Sequence, residues 1–469
     1  MTSVDIRRLM ERGPLHFVGI GGAGMCALAE AVLRAGGQVT GCDMKANAAT
    51  HGLETLGAEI HEGHDPAHGE GAAALVVTSA VPFDHPEITY AKERGIPVIK
   101  RAEALGSWVG VGRVLAIAGT HGKTTTCAMV TEVMIRAGAD PTAFVGGRVP
   151  SWGGNHRPGG DDLFIVEADE FDRSFHALAP DVAVVTNLEA DHLDIYGDLE
   201  GIRRAFVEFL GRVSEEGAVI ACGDDSELGR LLPRLHTPSV TYGLGAGTRL
   251  RGLDVELGSE GSLLRVLEEG RDEGELRVGV PGMHNVLNAL GAAGAARRLG
   301  APWDAVREGL EGFRGVARRF ECLGEERGVA VVDDYAHHPS EIRASLAAAR
   351  VAFPRRRIVA VFQPHLYSRT RDFLGDFGDA LSAADTVWVT EVFPAREDPI
   401  PGIDGRAVAE EVTASGRDDV RFHSDLGSLP GALADHLERG DVCLTLGAGS
   451  IEGIGPELLL HLQNGGEHA

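Results

Sequence analysis

The chain has 469 residues, 43% of them hydrophobic, which is enough material for two to four domains of about 150 residues each. Lys and Arg total 44 against 69 Asp and Glu, and a formal net charge of -25 disfavours nucleic-acid binding because so acidic a surface repels phosphates. The apolar runs are far shorter than the roughly 18 residues of a membrane span, and the charged segment 1–13 has no apolar stretch typical of a secretion signal. We therefore expect a cytoplasmic protein that binds neither nucleic acid nor membrane.

Cysteine and lysine usage narrow the possibilities further. The six cysteines show no CxxC or Cys/His ligand spacing, which argues against a disulfide framework and against a structural zinc, so we expect buried apolar residues. Lysine occurs only at Lys45, Lys92, Lys100 and Lys123, while arginine serves almost everywhere else. Lys123 lies in a glycine-containing loop of a chain that otherwise uses arginine. This indicates that the position requires an ammonium group.

The first hundred residues alternate β-rich and helical runs. We predict strands at 16–20, 38–42, 75–78 and 97–99, with helices at 25–35, 49–56 and 86–94 between them. A second unit begins with a strand at 114–118, followed by a helix at 123–137 and strands at 163–167 and 182–187. This alternation predicts parallel sheets covered by helices on both faces. The glycine-rich segment 146–160 predicts a mobile loop.

The remainder of the chain changes character twice. Short alternating segments in 239–280 predict antiparallel hairpins, and a helix at 284–299 follows them. The α/β alternation resumes with strands at 329–333, 358–362, 386–390 and 442–446. We therefore predict an α/β protein of three domains, with bounds 1–108, 109–315 and 316–469.

The first motif is a GxGxxG turn between a strand and a helix, formed by Gly19, Gly21, Gly22 and Gly24, with Asp43 ending the next strand. Backbone amides at such a turn suit a diphosphate, and the carboxylate suits a ribose hydroxyl. A dinucleotide dehydrogenase is one interpretation, although any nucleotide diphosphate group fits the same turn. The alternative is a tight turn that merely needs its glycines.

The second motif is a compressed phosphate loop that again joins a strand to a helix. It consists of Gly119, Thr120, His121, Gly122, Lys123, Thr124 and Thr125. Lys123 is placed to reach the β and γ phosphates, and the Thr124 hydroxyl to bind Mg²⁺. The planar guanidinium of arginine does not replace a compact ammonium among phosphate oxygens.

Two acidic clusters come directly after predicted strands. They comprise Glu167, Asp169 and Glu170, and then Glu189, Asp191, His192 and Asp194. The carboxyl ends of parallel strands meet at the ligand-binding edge of a sheet, where carboxylates hold Mg²⁺ against a nucleotide. The alternative for a single such run is a solvated loop.

Further polar groups stand near predicted helix starts and strand ends. Asn285 and Asn288 share a helix face, although helix capping is an equal alternative for Asn285. The turn 333–339 contains Asp334, Tyr335, His337 and His338, and His365 ends the following strand. Ser79, directly after the strand at 75–78, is a further candidate for substrate binding. The pair Arg318 and Arg319 either reaches the phosphates or forms a solvated linker.

Together these segments resemble the Mur ligase family over essentially the whole chain. The matching segments, in order, are GIGGAGM, AGTHGKTTT, EADE, TNLEADHLDIYGD, GMHNVLNAL, ARRFE, DDYAHHPSE and FQPHLYSRT. The family has a Rossmann-like UDP-binding domain, a central P-loop ATPase domain and a C-terminal Rossmann-like domain that helps bind ATP and an amino acid. The carbamoylated lysine ligand of one subgroup is excluded because no lysine follows Lys123.

The resemblance implies roles for individual residues. Glu167 and His192 match metal positions beside Thr124, while Asn285 and Asn288 match an adenine-binding pair. Arg319 and Asp334 match groups that contact the nucleotide from the C-terminal domain. Tyr335, His337, His338 and His365 fall where the amino acid and the activated carboxyl group meet, and His192, His337 and His338 are all candidates for the general base. Leu366 stands where some family members have Arg.

The implied reaction joins L-alanine to UDP-N-acetylmuramate at the expense of ATP, with Mg²⁺ as cofactor, in peptidoglycan precursor synthesis. A ligase that recovers a tripeptide for the same nucleotide sugar is the close alternative. An NAD-dependent oxidoreductase leaves the phosphate loop and both acidic clusters unexplained. A nucleotide-binding switch without catalysis gives no role to a UDP-type turn beside an ATP-type loop.

Overall fold

The computed structural model describes residues 5–82 and 84–464. Residues 1–4 of the charged N-terminal segment and the side chain of Asp194 lie outside this description. Three β-sheets with flanking helices confirm the α/β class and the three-domain architecture. The first two sheets belong mainly to a larger compact unit, made of Met1–Val255, Leu264–Arg277 and Leu287–Phe313. The smaller unit comprises Glu256–Leu263, Val278–Val286 and Arg314–Ala469. The bounds at 108 and 315 stay predictions.

The N-terminal sheet is fully parallel, with strand order β3-β2-β1-β4-β5. Its strands are β1 (Leu15–Val18), β2 (Val39–Asp43), β3 (Glu59–Glu62), β4 (Ala74–Val77) and β5 (Val98–Lys100). Its helices are α1 (Ile6–Met10), α2 (Ala23–Arg34), α3 (Ala48–Thr55), α4 (Pro86–Glu93) and α5 (Arg101–Val109). This is the order of a Rossmann mononucleotide-binding half, with the ligand edge at the carboxyl ends of β1 and β2.

The central sheet has ten strands in the order β15-β14-β13-β12-β11-β10-β6-β9-β7-β8. Its strands are β6 (Arg113–Ala118), β7 (Thr142–Val149), β8 (Gly154–Arg157), β9 (Leu163–Glu167), β10 (Val182–Val185), β11 (Ala218–Cys222), β12 (Ser239–Gly243), β13 (Leu250–Gly258), β14 (Gly261–Glu268) and β15 (Arg271–Val278). The helices are α6 (Lys123–Arg136), α7 (Leu193–Tyr196), α8 (Leu199–Leu210), α9 (Ser226–Leu231), α10 (Met283–Arg298) and α11 (Trp303–Gly312). Because β6 lies between β9 and β10, the segments that follow all three strands meet at one edge.

The C-terminal sheet has the order β16-β17-β21-β18-β19-β20, and β16 is its one antiparallel strand among the described residues. Its strands are β16 (Glu321–Glu326), β17 (Val329–Asp334), β18 (Arg357–Phe362), β19 (Thr386–Val389), β20 (Val420–Phe422) and β21 (Asp441–Leu446). Its helices are α12 (Pro339–Ala352), α13 (Tyr367–Asp372), α14 (Leu374–Leu381), α15 (Gly405–Ala414), α16 (Leu429–His436) and α17 (Ile454–Asn464). Alternate residues of β18 enter separate cores on the two faces, which explains its continuous apolar sequence.

One prediction for the central domain was wrong, and another was confirmed only in part. The segment 146–160 is not an irregular loop, since most of it lies in the antiparallel hairpin of β7 and β8, which turns at Gly153 (φ +75°). Backbone hydrogen bonds pair these two strands without the help of apolar side chains. The glycine-rich sequence therefore shows no strand pattern. The expected hairpins exist in β13–β15, where two-residue turns join neighbouring strands, but β12 pairs in parallel with β11 and β13.

Three elements of the N-terminal domain escaped the sequence patterns, namely the short helix α1, strand β3 and helix α5. Strand β3 is a largely exposed edge strand without apolar alternation. Helix α5 contains Gly106, which interrupts a helical pattern. An added Cβ at Gly106 lies 2.2 Å from the carbonyl oxygen of Ala177, so the glycine permits a close backbone approach.

No described helix combines the length and apolar character needed to cross a bilayer.

Replacing Gly309 by Ala tests the packing of α11 on α6. A Cβ at Gly309 lies 2.6 Å from the Cα of Val133. This backbone atom belongs to α6, so relieving the contact requires the two helices to move apart. We expect Gly309→Ala to destabilise the chain by about 1–3 kcal/mol, measured as a lower thermal unfolding midpoint. The matched control is Gly312→Ala in the same helix, where the nearest atom is the end of the Arg136 side chain at 3.9 Å. Equal midpoints for the two variants contradict the packing argument.

Candidate functional site

The phosphate loop bridges β6 and α6, and two of its glycines have left-handed backbone conformations. Gly119 has φ +127° and Gly122 has φ +80°. A Cβ at Gly119 lies 2.1 Å from the hydroxyl of Thr186, and a Cβ at Gly122 lies 2.3 Å from Oδ1 of Asn288. Both positions therefore require glycine for conformation and for space.

Lys123, the first residue of α6, is held by the loop and by a neighbouring carboxylate. Its Nζ donates to the carbonyl oxygen of Gly119 at 2.7 Å and to Oε2 of Glu170 at 2.8 Å. Burial opposes its charge, but Glu170, Asp169 and Glu167 outweigh burial and raise the pKa of Lys123. Burial raises the pKa of Glu170 to about 7, against the opposing effect of Lys123. The site thus holds one ammonium group among three carboxyl groups. The motif reasoning grouped Glu170 with the metal cluster and missed its bond to Lys123.

The predicted magnesium ligands Thr124 and Glu167 are in direct contact. The Thr124 hydroxyl donates to Oε2 of Glu167 at 2.9 Å, and the Gly146 amide donates to the same oxygen at 2.6 Å. Glu167 ends β9 and Thr124 lies in the first turn of α6, with Thr125 buried beside it. A hydroxyl and a carboxylate are hard oxygen donors that fit Mg²⁺.

His192 lies in the segment that follows β10. It has φ +52° and precedes α7, and its ring packs edge-on against Phe171 at 5.3 Å. Its Nε2 lies 3.8 Å from the carboxylate of Asp191. Phe171 is the residue that follows Glu170, so this ring contact places His192 beside the segment after β9. Its role as a metal ligand or general base stays a prediction.

The second acidic segment is attached to the phosphate loop through Asn187. The amides of Thr120 and His121 donate to the backbone oxygen and to Oδ1 of Asn187, at 3.2 and 2.8 Å. The Glu189 amide donates to the Thr120 hydroxyl at 2.8 Å. Sequence reasoning missed Asn187, although its place directly after an apolar strand was a usable signal.

The N-terminal glycine turn is braced by the predicted ribose ligand. Oδ2 of Asp43 accepts a hydrogen bond from the Gly21 amide at 2.8 Å, and Gly19 has φ +79°. A Cβ at Gly21 lies 2.6 Å from Nδ2 of Asn47, so any larger residue there displaces the Asn47 side chain. Gly22 precedes the first residue of α2, and its backbone places the helix N-terminus at the turn.

Two other predicted positions of this domain have structural partners. Gly24 permits the close approach of Arg101, whose Nη1 lies 2.9 Å from an ideal Cβ at that glycine. The Ser79 hydroxyl donates to Oδ2 of Asp172 at 2.6 Å, and Nζ of Lys100 lies 3.2 Å from the same oxygen. Asp172, which follows the Glu170 cluster, has φ +51°. Ser79 therefore links the N-terminal sheet to the segment after β9.

The two asparagines at the start of α10 are both buried, each with 6% of its surface exposed. The helix begins at Met283, and Nδ2 of Asn285 donates to the carbonyl oxygen of Pro281 at 2.7 Å. Asn285 lies inside the helix, two residues after its first residue, so it does not occupy the position before the helix where a capping residue stands. Asn288 lies against Gly122 of the phosphate loop, as the short Cβ distance shows.

In the smaller unit, Asp334 is a buried acceptor at the end of β17. It accepts from the amides of Phe320 and Ala336 at 3.1 and 2.9 Å and from the Ser345 hydroxyl at 2.7 Å. Burial raises the pKa of Asp334 to about 6, while Arg319 and Ser345 oppose the shift. These bonds join the linker before β16, the strand end and α12.

Arg318 and Arg319 do not form a solvated linker, because each side chain contacts its own set of partners. Nε of Arg318 donates to Asp333 at 2.8 Å. The Arg319 guanidinium lies 5.1 Å from the Tyr335 ring centre and 3.4 Å from Glu341. Arg318 is thus a packing residue, and the assignment of Arg319 to a nucleotide stays a prediction.

The predicted amino-acid site gathers at the same strand ends. The His337 ring lies 5.3 Å from the Tyr335 ring and 5.9 Å from the His365 ring. Nη1 of Arg369, a buried residue of α13, lies 3.4 Å from Nδ1 of His365. Sequence reasoning missed Arg369, although it stands in the segment FQPHLYSRT. Although Leu366 stands where some family members have Arg, the cluster contains the guanidinium of Arg369.

His338 differs from its neighbour His337. It precedes α12, its Nδ1 accepts from the Ser340 amide at 3.4 Å, and its ring packs edge-on against Phe373 at 4.8 Å. Pro339 occupies the first helical turn, as predicted. His338 thus has a visible structural role, and its catalytic role stays a prediction.

Three family models match consecutive parts of the chain. They are described as "Mur ligase family, catalytic domain" over residues 14–111, "Mur ligase middle domain" over 117–296 and "Mur ligase, glutamate ligase domain" over 318–449. Together they include the glycine turn, the phosphate loop with both acidic clusters, and the 333–338 turn.

Individual relatives match over nearly the full length. The chain is 46% identical to the UDP-N-acetylmuramate--L-alanine ligase of Oleidesulfovibrio alaskensis, covering 94% of this chain and 97% of the relative. The crystal structure of UDP-N-acetylmuramate-alanine ligase from Thermotoga maritima matches with a TM-score of 0.83 at 31% identity, over 96% of this chain and 99% of that one. A murein peptide ligase from Psychrobacter arcticus matches with a TM-score of 0.72 at 25% identity, over 96% and 99%.

The contact between Thr124 and Glu167 leads to a test of the magnesium site. Glu167→Gln removes a charged oxygen donor, and we expect the apparent Mg²⁺ affinity to fall by at least about tenfold. His192→Ala should lower it as well if the imidazole is a ligand. The measurement is a Mg²⁺ titration of nucleotide binding by calorimetry. Glu132→Gln, in the same helix as Thr124 but bonded to Trp152, is the control. Unchanged Mg²⁺ affinity removes the tested residue from the site.

Proposed function

The chain belongs to the Mur ligase family, and from this premise we infer that it joins L-alanine to the carboxylate of UDP-N-acetylmuramate. The reaction consumes ATP, releases ADP and phosphate, and belongs to peptidoglycan precursor synthesis. The observation that carries this proposal is the placement of Lys123 among three carboxyl groups at one sheet edge, in the same compact unit as a second, separate diphosphate-type turn.

The phosphate loop is the proposed ATP site. Its free helix N-terminus and the Lys123 ammonium are the positive groups that face phosphate oxygens in a strand–loop–helix arrangement. Lys123 exchanges its bonds to Gly119 and Glu170 for bonds to phosphate when ATP arrives. Glu170, whose pKa lies near neutrality, accommodates the departure of the ammonium group more easily than a carboxyl group fixed in its charged form.

Thr124 and Glu167 would hold Mg²⁺, which neutralises charge on the transferring phosphoryl group when it is bound. Their oxygens are already within hydrogen-bond distance of each other, so the site needs little rearrangement. The Gly146 amide, which donates to Glu167, fixes the direction of that carboxylate.

The turn after β1 is the proposed site of the UDP diphosphate. Asp43 stiffens the turn by accepting from Gly21, and it retains acceptor capacity for a ribose hydroxyl. An oxidoreductase would use the same turn for NAD, but it would leave Lys123, Thr124 and Glu167 without a reaction. The ligase accounts for both sets of residues.

A carboxylate does not acylate an amine until it carries a leaving group. We propose that the γ phosphoryl group of ATP is transferred to the carboxylate of the nucleotide sugar, giving an acyl phosphate. Lys123 stabilises the negative charge on the phosphate oxygens during this transfer. The amine of L-alanine then attacks the acyl carbon, and phosphate leaves as the amide forms. His192, His337 and His338 remain the candidates for accepting the ammonium proton.

The cluster at the ends of β17 and β18 is the proposed binding site for L-alanine. Arg369 beside His365 suits the α-carboxylate of an amino acid, because a guanidinium binds a carboxylate through paired hydrogen bonds. The Tyr335 and His337 rings leave an aromatic surface appropriate to a methyl side chain. The bounds 1–108, 109–315 and 316–469 are our proposal for the domains that bind the nucleotide sugar, ATP and the amino acid.

The close alternative is a ligase that attaches a recovered tripeptide to the same nucleotide sugar. The murein peptide ligase of Psychrobacter arcticus shares the fold at 25% identity, whereas relatives named for L-alanine ligation share 43–46%. The alanine-adding reaction is therefore the better supported one.

Lys123→Ala and Lys123→Arg should both lower kcat by at least about a hundredfold. A guanidinium does not fit between the loop carbonyls and Glu170, so charge alone does not restore activity. Equilibrium binding of UDP-N-acetylmuramate should be unchanged because the diphosphate turn lies on another sheet. Lys92→Arg, at an exposed position of α4, is the control. Near-normal turnover by Lys123→Arg contradicts the proposed role.

The amino-acid preference distinguishes the two ligase reactions. L-Alanine should give the highest kcat/KM, with glycine and L-serine about ten- to two-hundredfold lower, because a small pocket discriminates one methyl or hydroxyl group by only about 1–3 kcal/mol. The measurement is phosphate release at fixed ATP and UDP-N-acetylmuramate. A tripeptide that outperforms L-alanine moves the assignment to the recycling reaction and leaves the ATP site unchanged.

A further inference from the structure

A cluster of polar side chains lies inside the N-terminal domain, outside every site described so far. His16 of β1, Cys42 of β2 and Glu87 of α4 each have 0% of their surface exposed. His64, in the segment after β3, closes the cluster with a side chain that is 21% exposed. No step of the ligase reaction uses these residues.

The ligand atoms of His16, Cys42 and Glu87 lie within 4.8 Å of one another, and the ring of His64 contacts both Glu87 and Cys42. Glu87 is central, with Oε2 3.1 Å from Nε2 of His16 and Oε1 3.1 Å from Nδ1 of His64. The Cys42 sulfur lies 3.2 Å from Oε1 of Glu87 and 3.1 Å from Nδ1 of His64. The ligand atoms of a tetrahedral zinc ion lie roughly 3.3–3.6 Å apart, so the distances from Glu87 to its three neighbours and from Cys42 to His64 are close to those that zinc requires.

The orientation of His16 is set by a second contact. Its Nδ1 lies 2.8 Å from the hydroxyl of Thr40, which turns Nε2 toward Glu87. Metal-binding histidines characteristically bond through the remaining ring nitrogen to a neighbouring acceptor, which fixes the ring and the tautomer. The backbone contributes as well, since successive residues of β2 point to opposite faces. Cys42 therefore faces α4 while Asp43 faces the glycine turn.

The charges of the set match a divalent cation. A thiolate from Cys42 and a carboxylate from Glu87 supply two negative charges, and two neutral imidazoles complete four ligands. A dication then leaves the buried site neutral overall, which avoids the cost of burying an unpaired charge. Sulfur and imidazole donors in a tetrahedral set favour Zn²⁺ over Mg²⁺.

We propose that His16, Cys42, His64 and Glu87 form a zinc site that ties β1, β2 and α4 together behind the nucleotide-sugar turn. Binding breaks the Cys42 S–H bond, and the proton passes to solvent as the sulfur–zinc bond forms. Among the described residues, Cys42 is the one cysteine that belongs to such a ligand group. The linear spacing of Cys and His did not indicate zinc because each ligand comes from a different element of the fold.

The test uses the full chain, stripped of metal by a chelator and titrated with Co²⁺ in excess Mg²⁺. We expect one equivalent of Co²⁺ to bind with a thiolate-to-cobalt charge-transfer band and tetrahedral visible bands, and Zn²⁺ to displace it. Cys42→Ser should abolish the charge-transfer band. Cys443→Ser, at another buried strand cysteine, should leave it intact. Absence of the band in the unaltered chain, or its persistence in Cys42→Ser, overturns the proposal.

His64→Gln keeps the test decisive if Cys42→Ser does not fold, since His64 is partly exposed. We expect this variant to bind Zn²⁺ at least about tenfold more weakly in a competition titration with a zinc indicator. Zn²⁺ should also raise the thermal unfolding midpoint of the unaltered chain and raise it less in His64→Gln. Equal Zn²⁺ affinities for the two chains overturn the proposal.

Discussion

The ion pair of Lys123 with Glu170 is the interaction on which the central domain depends. Lys123 is the first residue of α6. Positions 119 and 122 in the loop before it require glycine, because Thr186, directly after β10, and Asn288 of α10 occupy the space of a Cβ. Three carboxyl groups meet one ammonium group at the ends of β6 and β9. Removing one partner of a buried pair costs about 3–5 kcal/mol because the other charge is left without compensation. In the proposed ATP complex, phosphate oxygens replace Glu170 as the anionic partner of Lys123.

The same segment connects the two sheets of the larger unit. Glu170 bonds to Lys123, and Asp172, two residues later, accepts from Ser79 and Lys100 at the end of the N-terminal sheet. Two of the four lysines of this chain are therefore tied to one short stretch with left-handed backbone at Asp172 and Arg173. The segment that holds Glu170 therefore also holds a partner of the N-terminal sheet, within one compact unit.

Sequence patterns predicted the parts of the fold that bury regular apolar runs. The parallel strands β1, β6, β9 and β17 and the helix after the phosphate loop followed from local patterns. Thr124 and Glu167, 43 positions apart, were placed together by the rule that parallel strands end at one ligand-binding edge. The hairpin of β7 and β8 was not predicted, because glycine-rich strands pair through backbone hydrogen bonds and carry few apolar side chains. Glu170 was missed as the partner of Lys123 because the two residues lie 47 positions apart. Arg369 was missed because the sequence does not show that its side chain turns toward His365. The cluster around Glu87 was missed because its residues come from separate elements.

The most direct test of the proposed role of Lys123 is a crystal structure of the full chain with Mg²⁺ and a non-hydrolysable ATP analogue. We expect Nζ of Lys123 to leave the carbonyl oxygen of Gly119 and the Glu170 carboxylate and to lie within hydrogen-bond distance of a phosphate oxygen, with Thr124 and Glu167 facing the Mg²⁺. A complex in which Lys123 keeps its bonds to Gly119 and Glu170 while the phosphates bind elsewhere contradicts it.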